Sequence, residues 1–183
     1  TWGSGADISA VSETLRLWSN DNLGEDLIIN VRNGGIYYWD KSTAVATSPY
    51  ARAVALSDVA GADATTPTIA KQIMVSDRDR HVLAFGCDPQ DNIGVQDPLL
   101  IRFSDQENPL VWAAEATNTA GDLRLGTGSE IITAVETRQQ ILVFTDKSLH
   151  AIQYLGPPFT FGNSLISTNS TISSPLAAVA VDD

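Results

Sequence analysis

The sequence predicts an all-β fold made of consecutive antiparallel blades of a β-propeller, incomplete in this chain. Three observations lead there. Apolar residues recur with period two, or in short runs bounded by Gly, Asn, Asp and Pro, which is the pattern of strands and hairpins rather than of capped helices. Groups of short strands recur at intervals of 45 to 59 residues, near the spacing of propeller blades. Of 183 residues, 43% are hydrophobic and only 18% charged, so the chain has enough apolar surface to bury a core.

The reading divides the chain into an N-terminal segment (1–20), blades (21–162), and a connector with the opening strand of a further blade (163–183). Leu27–Val31 and Ile36–Trp39 flank Asn33-Gly34-Gly35, where Asn-Gly supplies the positive φ of a tight hairpin turn. Gln72–Val75 and His81–Phe85 flank the polar tip Ser76–Arg80. Pro98–Phe103 and Val111–Trp112 read as an added outer hairpin, and Ile131–Val135, Ile141–Phe144 and Leu149–Tyr154 as a three-strand meander. Taking 27, 72, 131 and 177 as first-strand positions gives intervals of 45, 59 and 46 residues, the longest being the one that holds the outer hairpin. Asn163–Ser174, rich in Ser, Thr and Asn, reads as a connector, and Leu176–Val181 as an opening strand. Three periods and an opening strand do not close a ring. With a start at Thr1 rather than Met, the expectation is a piece of a longer chain. The polar segments Lys41–Ser48, Ser57–Thr68, Asp88–Asp97 and Ala113–Ser129 are the places where such a scaffold carries binding or assembly surfaces.

Eleven Lys and Arg against 22 Asp and Glu give a net charge of −11, which argues against a basic clamp for nucleic acid or anionic membrane. Cys87 is the single cysteine, so neither an internal disulfide nor a Cys-based zinc cluster is available. No apolar run approaches the roughly 18 residues of a membrane span, and the N-terminus lacks the layout of a secretion signal.

Asp77, Asp79, Asp88 and Asp91 are oxygen ligands in search of a calcium loop, yet their spacing does not match an EF-hand, and a solvated hairpin tip explains them better. His81 and His150 lie in strands without the partner spacing of zinc ligands, so packing is the expectation. Gly126-Thr-Gly-Ser129 is neither a nucleophile elbow nor a dinucleotide loop, because the closing Gly and the following helix are absent. Trp2, Trp18, Trp39 and Trp112 suit burial between blades better than stacking on sugars or bases. Cys87 has no cationic neighbour in sequence to make a thiolate. The expectation is a protein that is not an enzyme, with no catalytic residue, metal or cofactor. The competing class is a carbohydrate-binding or glycosidase-type propeller. Ser104 to Trp112 partly resembles the Asp-box turn of sialidases, but Ser104 and Asp105 are adjacent and the turn glycine is missing.

Ile101-Arg-Phe-Ser-Asp-Gln-Glu-Asn-Pro-Leu-Val-Trp112, followed by Ala120 to Ser129, resembles the tail nozzle proteins of short-tailed bacteriophages, also called tail tubular or head-to-tail stabilisation proteins. So do Asn22 to Leu27 with Gly35 to Asp40, and Leu142 to Gly156, in the same order along the chain. The resemblance implies a virion structural protein of the phage tail with a propeller-bearing body. It further implies a ring of six copies, contacts with the tail adaptor and with tail fibre or needle proteins, and transient passage of DNA without specific binding. No catalytic residue carries over, and the family's members are considerably longer. Within this frame, Asp105, Glu107, Pro109 and Trp112 make the interface candidate, combining acid, a rigid Pro and an aromatic anchor. The alternative is a turn internal to a blade, with Trp112 in the core.

Overall fold

The computed structural model describes residues 16–42 and 52–181. Trp2, residues 1–15 of the N-terminal segment, positions 43–48 of the Lys41 loop and the final Asp182 and Asp183 lie outside the described residues. Among the described residues, the chain is all-β, with three four-stranded antiparallel sheets that each follow chain order. Sheet 1 holds β1 (Trp18–Leu23), β2 (Asp26–Val31), β3 (Ile36–Trp39) and the two-residue β4 (Val54–Ala55). Sheet 2 holds β5 (Gln72–Val75), β6 (Val82–Phe85), β7 (Leu100–Phe103) and β8 (Gly121–Arg124). Sheet 3 holds β9 (Ile131–Glu136), β10 (Ile141–Thr145), β11 (Leu149–Gly156) and β12 (Thr160–Ser167). No described helix is long and apolar enough to cross a membrane.

Sheet 2 lies between the other two. β5, β6 and β7 are mostly apolar and buried because both faces of the sheet are covered there, and the period-two alternation of a strand splits their side chains between two cores. Ile73, Val75, Val82, Ala84 and Leu100 join Leu23, Ile28, Ile36 and Trp112 in the core shared with sheet 1. Met74, Leu83, Phe85, Ile101 and Phe103 join Ile131, Ile141, Val143, Ile152 and Phe161 in the core shared with sheet 3.

β1 runs alongside β5, and β5 reaches β9 through the Gln72 side chain, neither pair forming a ladder. From β1, Ser19 Oγ accepts the Ile73 N–H at 3.0 Å and Asp21 Oδ2 accepts the Val75 N–H at 2.8 Å. From β5, the Gln72 amide accepts the Ala134 N–H and donates to the Ala134 carbonyl, each at 2.8 Å. Each contact satisfies backbone groups of a neighbouring first strand that no ladder reaches.

Several expectations are corrected. Trp18–Leu23, polar in sequence, is the first strand of sheet 1, so Leu27 lies in the second strand and the first strands begin at 18, 72 and 131. Each sheet therefore has four strands, and no sheet carries an added outer hairpin. Val111 and Trp112 are not in a strand; β7 pairs with Gly121–Arg124 instead. The sheet runs into the expected connector, since β12 extends to Ser167, and Leu176–Val181 forms no strand. In the first hairpin the positive φ falls on Asn33, at 55°, while neither Gly34 nor Gly35 adopts one.

Candidate functional site

The candidate loop leaves β7 at Phe103 and returns to β8 at Gly121. It closes on itself: the Asp105 N–H donates to the Val111 carbonyl, and the Asn108 N–H to the Asp105 carbonyl. Glu107 takes φ 56° at the apex, and its N–H donates to the Arg80 carbonyl at 2.9 Å. Its carboxylate lies 3.3 Å from Arg80 Nε.

The four candidate residues separate. Trp112 is 1% exposed in the core between sheets 1 and 2, and its indole N–H donates to the carbonyl of Pro109, itself buried. Trp112 thus lies in the core, as one of the two expectations had it, and neither residue is open to a partner. Asp105 is half-buried and Glu107 exposed.

Asp105 instead organises the loop. Its Oδ1 accepts both the N–H and the hydroxyl of Thr119, at 2.9 and 2.6 Å. Burial raises the affinity of this carboxyl for its proton, but the Thr119 and Gln106 donors outweigh it and hold the group below the usual carboxylate range. Thr119 Oγ1, having given its proton to Asp105, accepts from the Gln106 N–H at 3.0 Å and meets His81 Nε2 at 3.1 Å. His81 Nε2 is thereby the donor, and Nδ1 is left as a bare acceptor. That atom is buried without a partner. The His81 ring packs against Phe103, Tyr154 and Phe161, with centroids 6.4, 5.8 and 5.2 Å away. Desolvation in this apolar cage lowers its pKa, although Asp79 and Asp105 pull the other way.

Beneath the loop, Arg102 is 1% exposed. Its guanidinium donates to the carbonyls of Asp88 and Trp112, at 3.3 and 3.2 Å, and sits 5.8 Å from the Trp112 ring centre. Asp63 completes the seat by accepting the Trp112 and Ala113 N–H groups. A cleft of about 320 Å³ opens over Arg102 and Trp112 between Gln90, Asp91, Ala114 and Asp122. A second, of about 40 Å³, lies between Asp79, Glu136, Tyr154 and Phe161. Burial raises the proton affinity of Glu136 there, with Asp77 and Asp21 adding to it and a hydrogen bond from the Asp77 N–H opposing it.

Asp88, one of the acids weighed for calcium, is fully buried and serves as a staple, accepting from the N–H and hydroxyl of Thr68 and from the Gly94 N–H. No group of three or more acid, His or Cys side chains suited to a metal occurs among the described residues. Cys87 is buried, and desolvation pushes its thiol up to about 12, an inert state. Of the tryptophans, Trp18 is exposed and Trp39 half-buried.

One constellation was missed in sequence. Ser148 Oγ lies 3.1 Å from His150 Nε2, and His150 Nδ1 lies 3.0 Å from Asn163 Oδ1, the order hydroxyl, imidazole, amide of an activated nucleophile. Ser148 and His150 share a Ser-x-His spacing that could have signalled the pair, but Asn163 fell in the expected connector. Ser148 is fully buried, its Oγ also 2.7 Å from Thr145 Oγ1, and neither cleft above is lined by it. The group pins β11 to β12 and to the turn before it. No protein-family model matches the chain, and no curated protein matches it.

Proposed function

We propose that this chain forms blades of a β-propeller in a virion structural protein, a component of the tail nozzle of a short-tailed bacteriophage. The observation that carries the reading is the lateral contact of β1, β5 and β9 through Ser19, Asp21 and Gln72. Four-stranded meanders stacked face to face, with first strands adjacent, are how propeller blades pack. The ordered sequence phrases add the phage tail to this architecture. The proposed body is a ring of six copies, in contact with the tail adaptor and with fibre or needle proteins, through which DNA leaves the virion. A net charge of −11 suits such a conduit, since a negative wall repels phosphate and lets DNA pass without sticking.

Negative-stain imaging of the native assembly tests this directly, with ring-shaped particles co-purifying with phage tails as the expected result. Single particles without tails would end it, and a map placing the acidic side chains away from the lumen would remove the electrostatic argument. The carbohydrate reading needs aromatic and acidic groups open to solvent in one pocket. Trp112 beside the larger cleft is 1% exposed, and the cleft that joins Asp79 and Glu136 to Tyr154 is about 40 Å³, far below the volume of a ligand pocket, so neither cleft favours that reading.

A further inference from the structure

Among the described residues, each sheet ends in a last strand with one unpaired edge, and the three edges differ. An open edge is a row of free N–H and C=O groups, which proteins blunt by shortening the strand or placing charge on it. β4 is two residues long. β8 carries Asp122 and Arg124. β12 has eight residues, no charge and no proline, and among the described residues pairs only with β11. A bulge at Ile166 interrupts its pairing, leaving Phe161–Leu165 in regular register. Asn163, Ser164, Leu165 and Ile166 are all exposed, the last two at 49% and 51%.

A second observation is independent of the edge. Residues 148–181 contain no Lys, Arg, Asp or Glu, whereas a stretch of that length at the chain's 18% charge would hold about six. The exposed Leu155 and Phe159 of the β11–β12 hairpin belong to the same stretch. Depletion of charge marks the centres of protein interfaces.

We infer that β12 pairs antiparallel with β12 of a second copy of this chain, joining two copies of sheet 3 across a two-fold axis. The occupant follows from charge. Two chains of net charge −11 repel at close range, and the hairpin that carries β12 is a face two copies can bring together without opposing acids. Antiparallel pairing about a two-fold also uses the same edge on both partners, so one sequence satisfies both backbones. Neighbours in a ring of six meet through different patches, so a two-fold contact of this kind joins copies that are not ring neighbours, and the dimer measured below tests it separately from the imaging of rings.

Sedimentation velocity of the full chain over a wide concentration range, at low and high salt, is the test. The expected result is a reversible monomer–dimer equilibrium that shifts toward dimer as salt screens the acid excess. Leu165→Lys places a charge on the edge and is expected to raise the dissociation constant at least about tenfold, whereas Arg124→Ala on β8 leaves it unchanged. Should Leu165→Lys fail to fold, Ser164→Cys treated with a short bismaleimide gives a covalent dimer, and Asp122→Cys does not; Cys87 is buried and does not compete. A chain monomeric at every concentration and salt overturns the inference. So does a dimer indifferent to Leu165→Lys, or one cross-linked equally from both edges.

Discussion

The two faces of sheet 2 are covered by neighbours of similar build yet are held in different ways. Toward sheet 1, the core closes over a permanent cation: Arg102 donates hydrogen bonds to the carbonyls of Asp88 and Trp112, and Asp63 fixes the Trp112 backbone. Toward sheet 3, the core is aromatic, and its polar member is His81, hydrogen-bonded through one nitrogen and bare at the other. A guanidinium stays charged across the accessible pH range, whereas an imidazole changes state near neutrality. The first face therefore feels acid only where the Asp63 carboxylate takes up a proton, whereas the second feels it from near neutrality. Burial raises the proton affinity of Asp63, but the Trp112, Ala113 and Thr65 donors outweigh it and hold the group below its ordinary range. Placing the same polar burden on groups of different acidity gives one sheet two neighbours with separate sensitivities.

The largest effect expected is on the first face. Trp112→Ala removes a fully buried ring and is expected to cost about 3–5 kcal/mol, read as a drop in the urea midpoint, with much of the loss tracing to the unsupported Arg102. A loss under about 1 kcal/mol would mean that the loop, not the ring, carries that seam. A smaller effect is expected at Gln72, on the second face. Gln72→Ala leaves the N–H and carbonyl of Ala134 without the partners that join β5 to β9, a cost of about 1–3 kcal/mol by chemical denaturation.

The pH response is the smallest effect and separates the faces most sharply. Folding lowers the pKa of His81 from its ordinary 6.5 because burial disfavours the cation. The neutral ring is the form the fold accepts, so this contribution is complete above that value. It declines as pH falls toward the folded pKa, where the unfolded chain takes up a proton that the fold refuses. Stability measured between about pH 7 and about pH 5.5 should fall in the parent chain and be flatter in His81→Phe. Equal slopes would show that His81 does not set the acid sensitivity.

What was readable in the sequence follows the same division of labour. Strands that feed a core announce themselves: Gln72–Val75, Ile141–Phe144 and the Asn33 hairpin lie where apolar alternation and a turn residue put them. Trp18–Leu23 was hidden because Ser19 and Asp21 serve the backbone of a neighbouring sheet, a task that selects polar side chains and erases the apolar signal. Thr160–Ser167 was hidden because an outermost strand can be polar on both sides and resemble a loop. At Trp112 the expected strand was misplaced, while burial, one of the two readings open for it, is what the fold shows: the ring reaches the core from a loop. Of the candidate site, the location of the loop was legible. The Asp105–Thr119–His81 chain was not, since its members lie on three segments that only the fold brings together.

The burial of β6 on both sides has a consequence for amide exchange. All four of its residues are fully inaccessible, and its ladders run to β5 and β7 within the sheet that both neighbours cover. Loss of either outer sheet alone would still leave these amides paired, so their exchange waits for the opening of the whole molecule. The slowest protons of Val82–Phe85 thus serve as a clock for global unfolding, against which the earlier release of either flank can be timed.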